Sequence, residues 1–450
     1  MVCTQLPGLW LSLGGSCSTS NGVLYYGAKR ITMASRREEI MVGLDLGTSK
    51  VCAVVGEVGV DGEVDIIGVG SASSKGITRG IVGEIASTVD AIEKAVQEAE
   101  LMAGCSIREA YVNISGGHLQ GLNSSGVVAL KDHEVREPEL LRVIDGARAI
   151  PLGTGQEVLH TLPRHFSIDS QESIANPLGL SGIRLEANVH LITAPQSALQ
   201  NISKCTGQAG LYTPAVICDA IASSEAILQD DEKELGVALV DVGAGTTDIA
   251  IWEGGSVIHT AVLPVGGDHI TRDISIGMRT PTPEAERIKI RFGAAKASAV
   301  RHDEKIRVSG VGGRSSKELS RQLLADIIEP RVEELFLMVQ KEIRNAGGED
   351  LLASGLVLTG GCTNLDGMDE VAEEVTGLPV RRGAPQHIGG LIDVVSSPSY
   401  STGIGLILHA LHRRNDPLFQ AAIQNTRWHR SSRKLIDLFS KMRRWLGAFF

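Results

Sequence analysis

Apolar positions in this chain fall into short runs broken by glycine-rich turns. Residues 40–46 form one such run and end in Asp-Leu-Gly-Thr; runs at 51–58 and 64–70 follow, a pattern that predicts a meander of strands. The period then changes. Ile85, Val89, Ile92, Val96, Ala99 and Met102 recur at helical steps and predict a helix over 85–103. Strands are expected at 109–115, 126–130 and 157–169, with a helix at 137–149, so that 84–163 reads as a small inserted α+β unit. Residues 236–252, GVALVDVGAGTTDIAIW, give a second strand–turn–strand. Helices are expected at 284–292 and 318–345, a buried strand at 355–359 ending in Gly360-Gly361, and an apolar helix at 403–414.

No short tandem repeat runs through the chain, but there is a long-range echo. GLDLGTSKVCAVV and LVDVGAGTTDIAIW are alike and lie about 200 residues apart. Two similar lobes, each opening with one such hairpin, is the simplest reading, and 450 residues exceed what one ordinary core holds.

Composition narrows the class. Hydrophobic residues make up 43% and charged residues 21%, as in soluble globular proteins. A net charge of −10 and only 4% aromatic residues argue against nucleic-acid binding. The seven cysteines (Cys3, Cys17, Cys52, Cys105, Cys205, Cys218 and Cys362) are scattered, with no CxxC, which fits reduced thiols in a cytosol. Residues 1–32 carry almost no charge and no periodicity. LPGLWLSL lacks a preceding Lys or Arg and makes a poor secretory signal, so the stretch to residue 38 is expected to be a disordered or over-extended N-terminal segment.

The hairpins carry the candidate chemistry. In each, an apolar strand ends in Asp and a glycine-rich turn bearing hydroxyls. Glycines let the backbone approach phosphate oxygens and aim N–H groups at them. Gly47, Thr48, Ser49 and Lys50 on one side, and Gly243, Gly245, Thr246 and Thr247 on the other, are the expected phosphate ligands. Asp45 and Asp241 end their strands, where a carboxylate holds a hydrated Mg²⁺. No GxxxxGK[ST] occurs, which excludes a P-loop. Glu286 and Lys289 are three apart and share a helix face.

These motifs resemble those of the actin/Hsp70/sugar-kinase superfamily. GLDLGTSK is similar to its first phosphate motif, VDVGAGTTD to its second, and VLTGGCTNLDGM to its adenosine motif; AIASSEAIL and YSTGIGLILHAL resemble its two connecting helices. Within the superfamily the chain resembles the FtsA family of bacterial cell-division proteins, on NPLGLSGIRLEANVHLIT, ELGVALVDVGAGTTDIAI and IIEPRVEEL. That resemblance implies an α/β, actin-like two-lobed ATPase fold with an inserted α+β subdomain. Residues 39–83, 164–195 and 385–414 would form the first lobe core, and 84–163 the insert. Residues 196–264 and 335–384 would form the second lobe core, with 265–334 as its smaller subdomain. It also implies ATP with Mg as cofactor, Glu286 and Lys289 reaching the ribose, and Gly360, Gly361 and Asn364 under the adenine. The second turn departs from the family's Asp-x-Gly-Gly-Gly-Thr at Ala244; if that position needs positive φ, Ala costs about 1 kcal/mol there.

The C-terminus has its own pattern. Residues 415–431 are polar and predict a linker. Over 432–450, Leu435, Leu438, Phe439, Met442, Trp445, Leu446 and Phe449 step by 3, 1, 3, 3, 1 and 3, which keeps one helix face apolar. Lys441, Arg443 and Arg444 lie on or beside the opposite face. From Asn425 onward the chain carries +6, leaving −16 on the rest. This predicts an interfacial helix that prefers anionic lipid, at about 1 kcal/mol per basic residue near the surface.

The expected function is then an ATP-binding adaptor at the cytoplasmic face of the cell membrane, at the division site. The resemblance implies that it polymerises like actin and recruits later division proteins. It also implies that the tail of the tubulin-like protein FtsZ docks at about 265–330. ATP turnover is expected to be slow or undetectable. The alternatives are a small-molecule kinase or phosphatase of the same fold, which needs a catalytic Asp base that the sequence does not supply, and a pilus-assembly adaptor, which is not expected to end in a basic amphipathic helix. An Hsp70-type chaperone is excluded, because fewer than 40 residues follow His412.

Overall fold

The computed structural model describes residues 39–313 and 315–416, together with Thr19–Ser20 and Val23–Leu24. The chain divides into two units, 1–38 and 39–450. In the first, Thr19–Ser20 pairs antiparallel with Val23–Leu24. The remainder of the N-terminal extension, and the linker and terminal helix expected beyond Asp416, lie outside the described residues.

The second unit opens with β1 (Glu39–Leu46), β2 (Lys50–Val58) and β3 (Val64–Ser73), an antiparallel meander that places Asp45 opposite Cys52. Helix α1 (Ile85–Ala103) follows and buries Thr88, Ala91, Ile92, Ala95, Val96 and Ala99, a single face at 3.6-residue spacing. It packs onto β3 at Gly68 and Gly70. A Cβ on Gly70 would lie 1.9 Å from the Ala95 carbonyl oxygen, so glycine permits this approach. Gly104, at φ 68°, ends the helix in the left-handed conformation. The chain then enters β4 (Tyr111–Ile114), which runs parallel to β1.

A second, four-stranded sheet comes next: β5 (Gln120–Ala129), β6 (Gln156–Ile168), β7 (Gln171–Ile174) and β8 (Arg184–Pro195) in the order β7-β6-β8-β5, all antiparallel. Helix α2 (Glu137–Arg148) covers one face; Val143, Ile144 and Ala147 pack with Phe166, Leu185, Val189 and Leu191. The inserted unit as folded therefore spans about 120–195, not 84–163. Helix α1 packs on the first sheet and β4 is one of its strands, and 164–195 belongs to the insert. The 163/164 boundary fails because β6 runs straight through it. Pro163 sits beside a register shift in the β6–β8 pairing, the kind of irregularity that admits proline within a strand.

The first sheet is completed by β9 (Val216–Cys218), beside β4, and helix α3 (Asp219–Ile227) leads out of it. The second lobe repeats the plan. β10 (Val237–Val242), β11 (Thr247–Glu253) and β12 (Ser256–Leu263) form another meander, with Asp241 opposite Asp248. Helices α4 (Gly267–Gly277), α5 (Thr282–Phe292) and the long α6 (Arg321–Ala346) follow, with a ribbon of Lys305–Val308 paired to Lys317–Ser320 before α6. β13 (Leu356–Thr359) lies parallel to β10, and β14 (Val380–Arg382) parallel to β13. β15 (Ile388–Gly390) returns to the edge of the first sheet beside β3, and α7 (Ser401–Arg413) closes the described fold.

The two sheets read β9-β4-β1-β2-β3-β15 and β12-β11-β10-β13-β14. In both, an antiparallel meander is extended from its first strand by two parallel strands. The echo in sequence is thus an echo in topology, and the first strands of both meanders are buried on both faces. Helices α3 and α7 meet between the lobes through glycines: Gly403 abuts Gly43 of β1, and Gly405 abuts Ala222 of α3. Ser401 to Ala410 are all buried.

Candidate functional site

Each hairpin turn is closed by the same backbone bond. The Gly47 amide donates to the Lys50 carbonyl at 3.0 Å, and the Gly243 amide to the Thr246 carbonyl at 2.9 Å. The two turns touch: a Cβ on Gly245 would lie 2.6 Å from Thr48 Oγ1 and 2.9 Å from Arg79 Cα. Between them opens a cleft of about 450 Å³. Asp45, Gly47, Thr48, Ser49 and Lys50 line it from the first lobe, and Asp241, Gly243, Gly245 and Thr246 from the second. Glu286, Lys289, Gly360, Gly361 and Asn364 line its far end.

One expected residue turns away. Thr247 is fully buried, and its hydroxyl donates to the Val265 carbonyl at 2.8 Å. Thr246, still in the turn, lines the cleft, whereas Thr247 opens β11 and faces the buried side. The concern over Ala244 is also removed. Neither it nor Gly243 or Gly245 has positive φ, so Ala carries no left-handed penalty there. The positive φ at this site belongs to Gly360, at 89°, where a Cβ would fall 2.3 Å from Asp241 Oδ1.

The floor of the cleft holds four carboxylates, of which only two were anticipated. Asp45 Oδ1 accepts from Asn113 Nδ2 at 2.9 Å, while Asn113 Oδ1 accepts the Leu46 amide at 2.6 Å. Asp241 Oδ2 accepts from Ser223 at 2.5 Å and from Thr402 at 3.4 Å, residues of α3 and α7. Asp248 accepts from Ser115 at 2.8 Å on both oxygens. Asp219, at the start of α3, lines the cleft, and its Oδ1 is buried with no hydrogen-bond partner. Among the described residues, no three His, Cys, Asp or Glu side chains converge as direct ligands of a metal ion. Asp248 closes the second glycine-rich motif but was not singled out there, and Asp219, Asn113, Ser115 and Ser223 lie outside both hairpin motifs. The only sequence signal for Asp219 and Ser223 was their place in the first connecting helix.

Burial disfavours charge on all four. It raises Asp45 to about 6 against the attraction of Lys50, with Asp241 pushing the same way and the Asn113 bond opposing. It raises Asp248 to about 7, assisted by Asp241 and opposed by the bonds from Ser115 and Thr246. Asp241 is raised by burial against its two hydroxyl bonds. Asp219 is held well above the carboxylate range by burial and by Asp248, Asp45 and Asp241. A carboxyl whose folded pKa exceeds its unfolded value near 3.8 stabilises the fold at low pH and loses that contribution as pH rises through the folded value. Nucleotide-free protein is therefore expected to lose stability relative to an Asp248→Asn variant as pH rises from about 4 to about 7. Thermal unfolding of both proteins across that range checks it; a constant difference in Tm would remove the buried charge from the account.

At the far end, Lys289 Nζ lies 2.7 Å from Glu286 and donates to the Gly267 carbonyl at 3.1 Å and to Thr271 Oγ1 at 2.9 Å. Thr271 in turn donates to Glu286. The pair is thus tied to α4 rather than free on the surface, and the Lys289 side chain is only 11% exposed. Lys50 Nζ sits 4.0 Å from the centre of the Tyr400 ring.

Comparison with known proteins adds three findings. The family model described as "Cell division protein FtsA" matches residues 238–405, and that described as "SHS2 domain inserted in FTSA" matches 116–193, close to the insert as folded. The chain is 46% identical over 412 residues to cell division protein FtsA of Pseudomonas aeruginosa, covering 92% of this chain and 98% of that one. It is 43% identical over 376 residues to cell division protein FtsA of Escherichia coli K12, covering 82% and 90%. Among solved structures, the PilM-PilN type IV pilus biogenesis complex is similar in fold, with a TM-score of 0.59 at 16% identity over 82% of this chain and 98% of that one.

Proposed function

The chain belongs to the FtsA family of actin-like cell division proteins, and from that premise we propose that it binds Mg-ATP in the cleft and serves as a membrane adaptor for FtsZ. The observation that carries the nucleotide reading is the pair of equivalent turns abutting across a cleft floored by four carboxylates, Asp241 and Asp248 buried and Asp45 and Asp219 half-buried. Ionising all four together is unfavourable unless a cation joins them. The unpartnered Asp219 Oδ1 fits a water of a hydrated ion. Asp45 and Asp241 would hold Mg²⁺ through water, and the two turns would cradle the phosphates. Glu286 and Lys289 would face the ribose, with Gly360, Gly361 and Asn364 under the base. When bound, the cation neutralises phosphate charge. The chain's own groups bind and orient the nucleotide, and turnover is expected to be slow or undetectable, with ATP acting as a switch for polymerisation.

The adaptor reading rests on the family and on the tail. Among the described residues no helix is long and apolar enough to cross a membrane. The apolar stripe from Leu435 to Phe449, with Lys441, Arg443 and Arg444 beside it, supports attachment to the cytoplasmic face of the membrane through anionic lipid. FtsZ would dock by its C-terminal tail on 265–330, and the insert would contribute to polymer contacts and to recruitment of later division proteins.

The test is flotation with anionic liposomes, Mg-ATP and FtsZ, comparing the full chain with one ending at Gln424. The full chain is expected to carry FtsZ to the lipid and the shortened one to leave it behind. Flotation of FtsZ by both would refute the tail as anchor. Flotation of the full chain without FtsZ would refute the adaptor role and leave the membrane reading standing.

A further inference from the structure

The chain enters the inserted domain through Ser115, one residue past the end of β4. Ser115 is 5% exposed and takes part in neither sheet. Its Oγ reaches across to the second lobe, 2.8 Å from each oxygen of Asp248 and 3.1 Å from Thr246 Oγ1. Two residues earlier, within β4, Asn113 grips Asp45 of the first lobe. One short strand and the residue just past its end therefore supply a hydrogen-bond donor to a cleft carboxylate of each lobe. Beyond Ser115 the backbone is pinned as well: Gly116 has φ 124°, and a Cβ there would meet the His118 ring at 2.6 Å. The domain rooted at this point also touches the second lobe farther out. His190 is buried and bridges Asn123 of the insert, at 2.8 Å, to Thr260 Oγ1 of β12, at 2.9 Å.

Asp248 lies opposite Asp241 in the β10–β11 register and lines the cleft, so its orientation bears on any cation held there. A hydroxyl has one proton, and the two equal distances place it between the carboxylate oxygens. No other residue outside the turn is found donating to this carboxylate among the described residues. We propose that Ser115 is a positioning residue of the cleft, which orients Asp248 from the root of the inserted domain and so supports the cation-dependent part of nucleotide binding. This rests on the nucleotide reading given above. It assigns the insert a mechanical tie to the cleft, because the residue that leads into the one contacts the other.

The experiment measures ATP affinity by calorimetry, with excess Mg²⁺ and with EDTA, for the wild-type chain and for Ser115→Ala, Ser115→Thr, Asp248→Asn and the Ser115→Ala/Asp248→Asn double variant. Removing the hydroxyl is expected to weaken Mg-ATP binding about 10-fold, the size of one charge-assisted hydrogen bond. Affinity in EDTA should stay within about twofold of wild type, threonine should restore the Mg-dependent gain, and Ser115→Ala should have no further effect once Asp248 is Asn. Equal losses with and without Mg²⁺, or additive effects in the double variant, would overturn the positioning role while leaving nucleotide binding intact. Absence of ATP binding by the wild-type chain would overturn the nucleotide reading and this proposal together.

Discussion

Replacing Gly405 by valine is expected to leave little folded protein at growth temperature. A Cβ at this position would sit 1.8 Å from the Ala222 carbonyl oxygen and 2.4 Å from its carbonyl carbon. Both are backbone atoms of α3, so no side-chain rotation relieves the clash. The helices would have to separate, and α7 has no room to move outward: Gly403, two residues earlier, meets Gly43 of β1, where a Cβ would lie 2.1 Å from the Gly403 carbonyl oxygen. Overpacking of a rigid core costs about 1–3 kcal/mol where side chains yield, and more where backbone must. Against a typical total stability of about 5–15 kcal/mol, that is a large share. Separating the helices also pulls Ser223 and Thr402 from Asp241, so any protein that survives should bind ATP poorly. Thermal unfolding and soluble yield check the first effect. A Gly405→Val protein with an unchanged Tm would contradict the packing of α3 against α7.

The second large effect is confined to the cleft. Gly245→Val is expected to weaken ATP binding at least 100-fold while shifting Tm by only a few degrees, about 1–2 kcal/mol. The new side chain would meet Thr48 Oγ1 and Cγ2 at 2.6 and 3.0 Å and Arg79 Cα at 2.9 Å. Thr48 can rotate, but the Arg79 backbone cannot, and Arg79 is already held at φ 49°. The turns must part, which spoils simultaneous contact with a phosphate chain from both sides. Ala244→Gly is the informative companion. Because Ala244 is not in the left-handed region, the extra glycine should not improve affinity. Titration of a fluorescent ATP analogue with Mg²⁺ distinguishes the variants; tight binding by Gly245→Val would show that the turns need not touch.

Several parts of this fold could be read directly. The 85–103 helix ends where expected because its buried stripe stops at Ala99 and Gly104 supplies the left-handed cap. The paired Asp and glycine-rich turns were visible as an echo, since residues that form equivalent turns face the same steric demands. The insert boundaries were not legible. The strand expected at 157–169 already crosses residue 163, but only the pairing of β6 with β8 shows that the whole strand belongs to the insert. A hydroxyl in a phosphate turn invites placing Thr247 in the cleft, but it opens β11 and donates to the Val265 carbonyl instead.

The sequence by itself determined the two-lobed plan, the hairpin turns with their Asp, and the basic amphipathic stripe at the C-terminus. These are local patterns, in which spacing along the chain decides conformation or facing. Only the tertiary structure decided which side chains meet at the cleft floor. Asp248 is held from Ser115, 133 residues away, and Asp241 from Thr402, 161 residues away. Asp219 became a cleft residue because α3 begins where β9 ends against β4. Such contacts depend on how sheets and helices pack, and side chains brought together by packing carry no mark of it in their spacing along the chain.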